Sequence, residues 1–163
     1  MNLCCYSILF LVLLLSGCNA PAPLPDEQAE RAQILELHNA QRDYHFNANA
    51  EAFVDQFSAN YRSINRGGIQ HLSQEQSLAI FQPYFESVDF IAWDDAQAPI
   101  IEFSDDYSMA YCLVDKEVIV AYPLDDGGQY IDTTQYAWTT IYRKYGGEWK
   151  VDCVTSTTVP KDY

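Results

Sequence analysis

The chain has 163 residues, of which 48% are hydrophobic and 14% aromatic, which is enough for one domain with a packed core. Its formal net charge of −14 comes from 9 Lys and Arg against 23 Asp and Glu. This balance excludes nucleic-acid binding, which needs a clustered basic surface. The sequence contains no CxxC motif and no Cys/His cluster, so we expect no metal site and no cofactor.

The N-terminal segment predicts export and lipid anchoring. Residues 8–15 (ILFLVLLL) form an apolar run that is shorter than the ~20 residues of a membrane-spanning helix. The run leads into Leu15-Ser16-Gly17-Cys18, which resembles the lipobox of bacterial lipoprotein signal peptides. The resemblance implies cleavage before Cys18, acylation of that cysteine, and an outer-membrane lipoprotein that faces the periplasm. A short uncleaved membrane anchor is the alternative.

The remainder of the chain predicts a short tether followed by one domain. The tether is rich in proline and has no apolar period. We expect these boundaries: the signal peptide at 1–17, the lipidated cysteine and tether at 18–28, and the domain at 29–163.

Three helices are predicted at the start of the domain. The first carries Ile34, Leu37 and Gln41 at helical spacing, and the third opens with a capping box at Ser73-Gln74-Glu75-Gln76. Pro83 is expected to kink or shorten the third helix. The predicted ranges are 26–45, 50–59 and 73–86.

Strands are predicted from there on, apart from one short strand before the third helix. Gly146-Gly147 separates the last two runs and indicates a hairpin. Cys112 and Cys153 would lie on strands separated by a third, beyond disulfide reach, so we expect two buried free thiols. The predicted strands are 61–64, 88–103 (with a bend at Pro99), 109–122, 130–144 and 149–158.

The order of elements resembles the NTF2-like superfamily, with the SnoaL-like and DUF4440 groups as the nearest relatives. The motifs that carry the resemblance are residues 49–57 (NAEAFVDQF) and 142–151 (YRKYGGEWKV), and it extends over about 29–158. It implies an α+β cone in which three N-terminal helices pack on a strongly curved antiparallel sheet. It also implies a pocket between helices and sheet that binds a small molecule, and a homodimer.

Bacterial ketosteroid isomerase is an enzyme of this shape, and alignment with it places polar, uncharged residues at its working positions. The general-base aspartate corresponds to Asn65, the oxyanion-hole tyrosine to Gln41 and the protonated aspartic acid to Thr139. An amide cannot accept and hold a proton as a general base must. The resemblance therefore favours a pocket that binds a ligand without isomerase activity.

The same alignment assigns the two faces of the last hairpin, an assignment that depends on strand register. The pocket side would carry Gln135, Ala137, Thr139, Ile141, Asp152 and Val154. The convex side would form an aromatic dimer surface that includes Tyr136, Trp138, Tyr142, Trp149, Val151 and Cys153.

Other candidates have alternative interpretations. Asp152 is the acid expected on the pocket floor, either as a catalytic carboxylate or as a paired structural one. His38 and His45 share one side of a helix, but a third metal ligand is lacking, so half-buried polar residues near the pocket mouth are the simpler interpretation. Tyr61 and Trp93 line the pocket or pack in the core.

Three functions follow from these observations. The first is a membrane-anchored lipoprotein that binds a small, partly apolar molecule. The second is an enzyme (a lyase, cyclase or isomerase) that uses Asp152 or a histidine as base. The third is an envelope protein-interaction module.

Overall fold

The structure of the protein is a computed structural model that describes residues 25–160. The predicted signal peptide, Cys18 and most of the tether lie outside the described residues. Within residues 25–160, no helix is both long enough and apolar enough to cross a membrane.

Three helices form one layer of the fold: α1 (Glu27–Phe46), α2 (Ala50–Asp55) and α3 (Gln74–Ser87). The Asp26 side chain caps α1 by accepting a hydrogen bond from the Gln28 N–H at 3.0 Å. The predicted capping box opens α3, where Ser73 and Gln76 each accept the backbone N–H of the other. The α3 helix continues past Pro83 to Ser87.

Seven strands form one sheet: β1 (Phe57–Asn65), β2 (Gly68–His71), β3 (Asp89–Asp95), β4 (Ile100–Phe103), β5 (Met109–Pro123), β6 (Gln129–Tyr145) and β7 (Glu148–Thr158). Their order is β2-β1-β7-β6-β5-β3, and β4 also pairs with β5. Every pair is antiparallel except β1 with β7. The α+β fold class, with helices packed on a curved and largely antiparallel sheet, is confirmed.

The main difference from the predicted elements lies at the end of α2. The prediction extended this helix to residue 59, but the chain turns at Gln56 and β1 begins at Phe57. The backbone N–H of Val151 donates to the Gln56 carbonyl at 2.8 Å, and Phe57 pairs with Val151 in register. Pairing with β7 therefore outweighs the helical spacing of the apolar residues here.

The final hairpin has the predicted turn at its two glycines, and it also contains a bulge that was not predicted. Gly146 and Gly147 have φ of 63° and 96°, as a two-residue turn between paired Tyr145 and Glu148 requires. Ile141 pairs with Cys153 and Tyr142 with Val151, so Asp152 is an extra residue in β7.

The two cysteines of the described domain are buried free thiols, as predicted. Cys112 on β5 pairs with Thr140, while Cys153 on β7 pairs with Ile141, so β6 lies between them. The residue alternation also places the two thiols on opposite faces of the sheet.

Candidate functional site

A cavity of about 600 Å³ lies between the helices and the inner face of the sheet. Alternate residues of β6 form its sheet wall: Asp132, Thr134, Tyr136, Trp138 and Thr140. The helices contribute a second set: Gln41, His45, Phe53, Phe81 and Tyr84. The wall therefore combines aromatic rings with hydroxyl and amide groups, which is typical of sites for small organic molecules.

The predicted faces of β6 are exchanged in the structure. Tyr136 and Trp138 line the cavity instead of a dimer surface, while Thr139 lines a groove on the opposite face and Gln135 bonds to Glu117. Side chains alternate along a strand, so the one-residue register error of the alignment moved every β6 residue to the wrong face.

Tyr142 and Trp149 are also not available for a dimer surface. Tyr142 is completely buried and Trp149 is 4% exposed. The Trp149 indole N–H donates to Glu30 at 2.7 Å, and Lys144 pairs with the other oxygen of that carboxylate at 2.5 Å. Burial alone would raise the pKa of Glu30, but these two contacts hold it below its ordinary value. We call this region, around Glu30, Tyr142 and Trp149, the closed end of the cone.

The other end of the cone holds the cavity, and we call it the open end. Of the predicted pocket residues, Gln41, Tyr61, Asn65 and Trp93 line it. Gln41 donates to the Gln56 side chain at 3.1 Å, which fixes its amide against the helix layer. Burial raises the pKa of Tyr61 to about 12, so this phenol stays protonated and can donate a hydrogen bond.

His45 is a polar group of the open end that is held by contacts on its ring face and at its Nδ1 atom. Its ring stacks on Trp93 with centroids 3.7 Å apart, and its Nδ1 lies 2.6 Å from the Gln41 carbonyl oxygen. A carbonyl only accepts, so Nδ1 carries the proton and Nε2 carries a lone pair. Burial lowers the pKa of His45 to about 4. At neutral pH this imidazole is therefore a hydrogen-bond acceptor and a weak base.

His38 lies behind the cavity wall instead of at the pocket mouth. Its Nε2 lies 2.8 Å from Asp95, whose other carboxylate oxygen lies 2.6 Å from the Lys116 ammonium. The His38 and Lys116 side chains are each 3% exposed. Burial lowers the pKa of His38 in spite of the carboxylate, so the neutral ring donates Nε2–H. Burial would raise the pKa of Asp95, but these contacts lower it.

This triad supports the aromatic wall of the cavity. The Lys116 ammonium lies 4.9 Å from the Trp93 ring centroid and 5.8 Å from that of Trp138. Both distances are in the range of cation–π attraction. The charge therefore stabilises the two indoles that form the base of the open end.

Asp152 does not reach the cavity. The bulge turns it outward, where Ser58 donates to it at 2.7 Å and Tyr145 donates to the same oxygen. The paired, structural interpretation of this carboxylate fits these contacts. Among the described residues, no group of three His, Cys, Asp or Glu side chains could hold a metal ion.

Sequence reasoning missed four charged residues: Arg66 and Asp132 on the cavity wall, and Asp95 and Lys116 behind it. One signal was present for Lys116. The buried row of β5 runs through Cys112, Val114, Val118 and Val120, and Lys116 occupies the remaining position of that row. A lysine in an apolar row indicates a buried partner.

Solved structures share this fold at low sequence identity. A proposed calcium/calmodulin-dependent kinase II association domain from Exiguobacterium sibiricum has a TM-score of 0.65 at 15% identity, over 86% of this chain and 100% of that chain. A proposed dehydratase of the NTF2-like family from Streptomyces avermitilis has a TM-score of 0.67 at 9% identity, over 82% and 99%. An NTF2-like protein from Cytophaga hutchinsonii has a TM-score of 0.60 at 16% identity, over 79% and 98%.

These likenesses show the NTF2-like fold and nothing about activity, since one fold carries many functions. The sequence matches no protein-family model and no curated protein. Function therefore has to be inferred from the cavity itself.

Proposed function

We propose that the domain binds a small, partly apolar molecule in the open-end cavity. The single observation that carries this proposal is the cavity of about 600 Å³ whose wall combines aromatic rings with fixed hydrogen-bonding groups. Pockets of roughly 300–1,000 Å³ with such walls are the usual sites for small ligands.

The chemistry of the wall favours binding over proton transfer. His45, with a pKa of about 4, accepts a hydrogen bond but is a weak base at neutral pH. Burial raises the pKa of Tyr84 well above its ordinary value, and nearby tyrosines add to the effect, so its phenol is a donor rather than a base. His45 and Tyr84 can therefore orient a ligand through hydrogen bonds, while the aromatic rings contact its apolar part.

The test uses two tryptophan substitutions on adjacent residues of β6. Thr134 lines the cavity, whereas Thr133 is exposed on the opposite face. In the chain from Ala20 onward, Thr134→Trp should remove binding of N-phenyl-1-naphthylamine, measured by its fluorescence, while Thr133→Trp should bind as the wild type does. No binding by the wild type, or equal binding by both variants, would contradict the proposal.

The second candidate function is that of an enzyme. Its general base would be Asp132, because Asp152 does not reach the cavity. Asp132 is the one carboxylate among the described residues that line the cavity, and it is half-buried. Under this alternative Asp132→Asn would abolish turnover while leaving probe binding intact. Under the binding proposal no turnover depends on Asp132.

We also propose that the domain is held at the outer membrane through an acylated Cys18. The support is the sequence Leu15-Ser16-Gly17-Cys18 and the proline-rich stretch between it and Asp26, the residue that caps α1. Labelling with a radioactive fatty acid should mark the wild-type chain and leave Cys18→Ser unlabelled. Labelling of both chains equally would reject the anchor.

We propose that the domain forms a homodimer through the outer face of its sheet. Ile100, Tyr111 and Leu113 expose 56%, 43% and 40% of their surfaces there, beside a groove of about 400 Å³. An apolar patch on a sheet face is a common contact surface. Leu113→Asp should convert the dimer to a monomer in light scattering, while Ile80→Asp, on α3, should not.

A further inference from the structure

Arg66 stands apart from the other cavity residues because it is the one cation among the described residues that line the cavity at neutral pH. It lies at the rim, in the turn between β1 and β2, and it is exposed. No described residue forms an ion pair or a hydrogen bond with its guanidinium.

Two other described basic residues, Arg62 and Arg143, also have no carboxylate partner, but neither of them lines the cavity. Other basic side chains lie within ion-pair distance of a carboxylate: Arg31, Arg42, Lys116, Lys144 and Lys150. Carboxylates outnumber cations in the sequence, 23 to 9. A guanidinium without an anion at the edge of a cavity is therefore open to a ligand, and its planar fork matches a carboxylate.

The backbone at Arg66 is also unusual. Asn65 pairs with Gly68, so Arg66 and Gly67 form a two-residue turn, and their φ values are 46° and 77°. Gly, Asn or Asp suit the first position of such a turn, whereas a long side chain is strained there. Left-handed residues of this kind cluster where a side chain has a task.

The carboxylate on the cavity wall lies far from Arg66. By register Asn65 is level with Ser156 and Trp138, and Asp132 lies six residues farther along β6, or ~20 Å at the usual rise per residue. That distance is about two Debye lengths, so Asp132 neither pairs with Arg66 nor repels an anion bound to it. The aromatic interior lies between the two charges.

We propose that Arg66 is an anion-binding residue at the rim of the cavity, and that the ligand is a partly apolar molecule with a carboxylate at one end. The apolar body fits among the rings of the open end, and the carboxylate reaches the guanidinium. This inference rests on the proposed binding function and names its ligand class.

The test compares two probes with one apolar body, 4-phenylbutyrate and 4-phenylbutan-1-ol. The full chain is held in lipid nanodiscs, and dissociation constants are measured by calorimetry at about 0.1 M salt, where the Debye length is ~10 Å, with empty nanodiscs as the blank. Wild-type protein should bind the carboxylate roughly tenfold more tightly than the alcohol, as one charge-assisted contact allows.

Three variants assign that preference to its source. Arg66→Gln should bind both probes with the affinity of the alcohol, while Arg66→Lys should keep most of the preference. The matched control is Arg143→Gln, because Arg143 is exposed on β6 and does not line the cavity. This control should behave as the wild type.

The outcomes separate this inference from the function on which it rests. Equal affinity of wild-type protein for the two probes, or a preference that survives in Arg66→Gln, would overturn the role of Arg66 and leave the binding function standing. Failure of both probes to bind would overturn the binding function and this inference with it.

Discussion

The closed and open ends of the cone interior contain similar side chains, but these side chains differ in their hydrogen-bond partners and in their burial. At the closed end a tryptophan N–H and a lysine ammonium share the Glu30 carboxylate, and Tyr142 is completely buried. At the open end the Trp138 ring borders a cavity, and His45 keeps its Nε2 lone pair. The comparison teaches that aromatic content alone does not mark a site.

The buried triad of His38, Asp95 and Lys116 lies behind the wall of the open end. It fixes the Trp93 and Trp138 rings from behind, so the open end has a rigid base. Rigid walls lower the cost of ordering when a ligand binds. The predictions below test this difference between the ends.

The largest effect is expected at the triad. Asp95→Asn leaves the Lys116 charge buried without a carboxylate, which should lower the free energy of unfolding by about 4 kcal/mol. Urea unfolding measures it. Adding Lys116→Met should restore most of the loss, and the neighbouring Asp94→Asn, at an exposed site, should change little. A double variant as unstable as the single one would contradict this role.

The second prediction concerns His45 and pH. Its folded pKa of about 4 lies below the ordinary 6.5, so below pH 6.5 the unfolded chain binds a proton that the folded chain does not. Stability should therefore fall as pH drops from 6.5 to 4, by about 3 kcal/mol from this residue, and then level off.

Stability curves for two variants isolate that contribution. His45→Gln should reduce the slope between pH 6.5 and 4 and leave the contribution of His38, whose pKa burial also lowers, whereas the exposed His71→Gln should retain the wild-type slope. An unchanged slope in His45→Gln would mean that His45 is protonated equally in both states.

The third prediction concerns the closed end. Glu30→Gln keeps an acceptor for Trp149 but removes the charge that pairs with Lys144, so unfolding should become easier by about 2 kcal/mol. Glu27→Gln changes an exposed pair on the same helix and should have no measurable effect in the same titration. Equal losses in both variants would show that burial at the closed end is unimportant.

The smallest expected effect is a gain in stability. The Tyr142 hydroxyl is buried without a hydrogen-bond partner among the described residues, so Tyr142→Phe should raise stability by about 1 kcal/mol. Tyr145→Phe should do the opposite, because that hydroxyl donates to Asp152. A loss of stability in Tyr142→Phe would reveal a partner for its hydroxyl.

Local signals in the sequence predicted most of the fold but not the faces of the sheet. The capping box at Ser73 and the glycine pair at Gly146 each have one structural meaning, and both were confirmed. On β6, threonines and large side chains occupy both faces, so alternation gave no sign of which face is inside. On β7 the bulge at Asp152 cancels this error beyond it, so Val154 lines the cavity as predicted, whereas Val151, predicted on the convex side, lines the cavity as well.

The charged residues of the site depended on pairing across strands. Asp95 meets Lys116 because β3 and β5 are in that register, and no local pattern gives that register. Arg66 reaches the rim because a turn between β1 and β2 places it there. The Asp95–Lys116 contact and the position of Arg66 therefore depend on how the strands pair in the folded sheet, which local sequence patterns do not specify.

The most direct test of the account is native mass spectrometry of the chain from Ala20 onward, purified from bacterial periplasm. We expect wild-type protein and Thr133→Trp to carry an additional small-molecule mass that denaturation releases, and Thr134→Trp to show the mass of the chain alone. The mass of the chain alone in all three, or an additional mass that persists in Thr134→Trp, would contradict a ligand site at the open end.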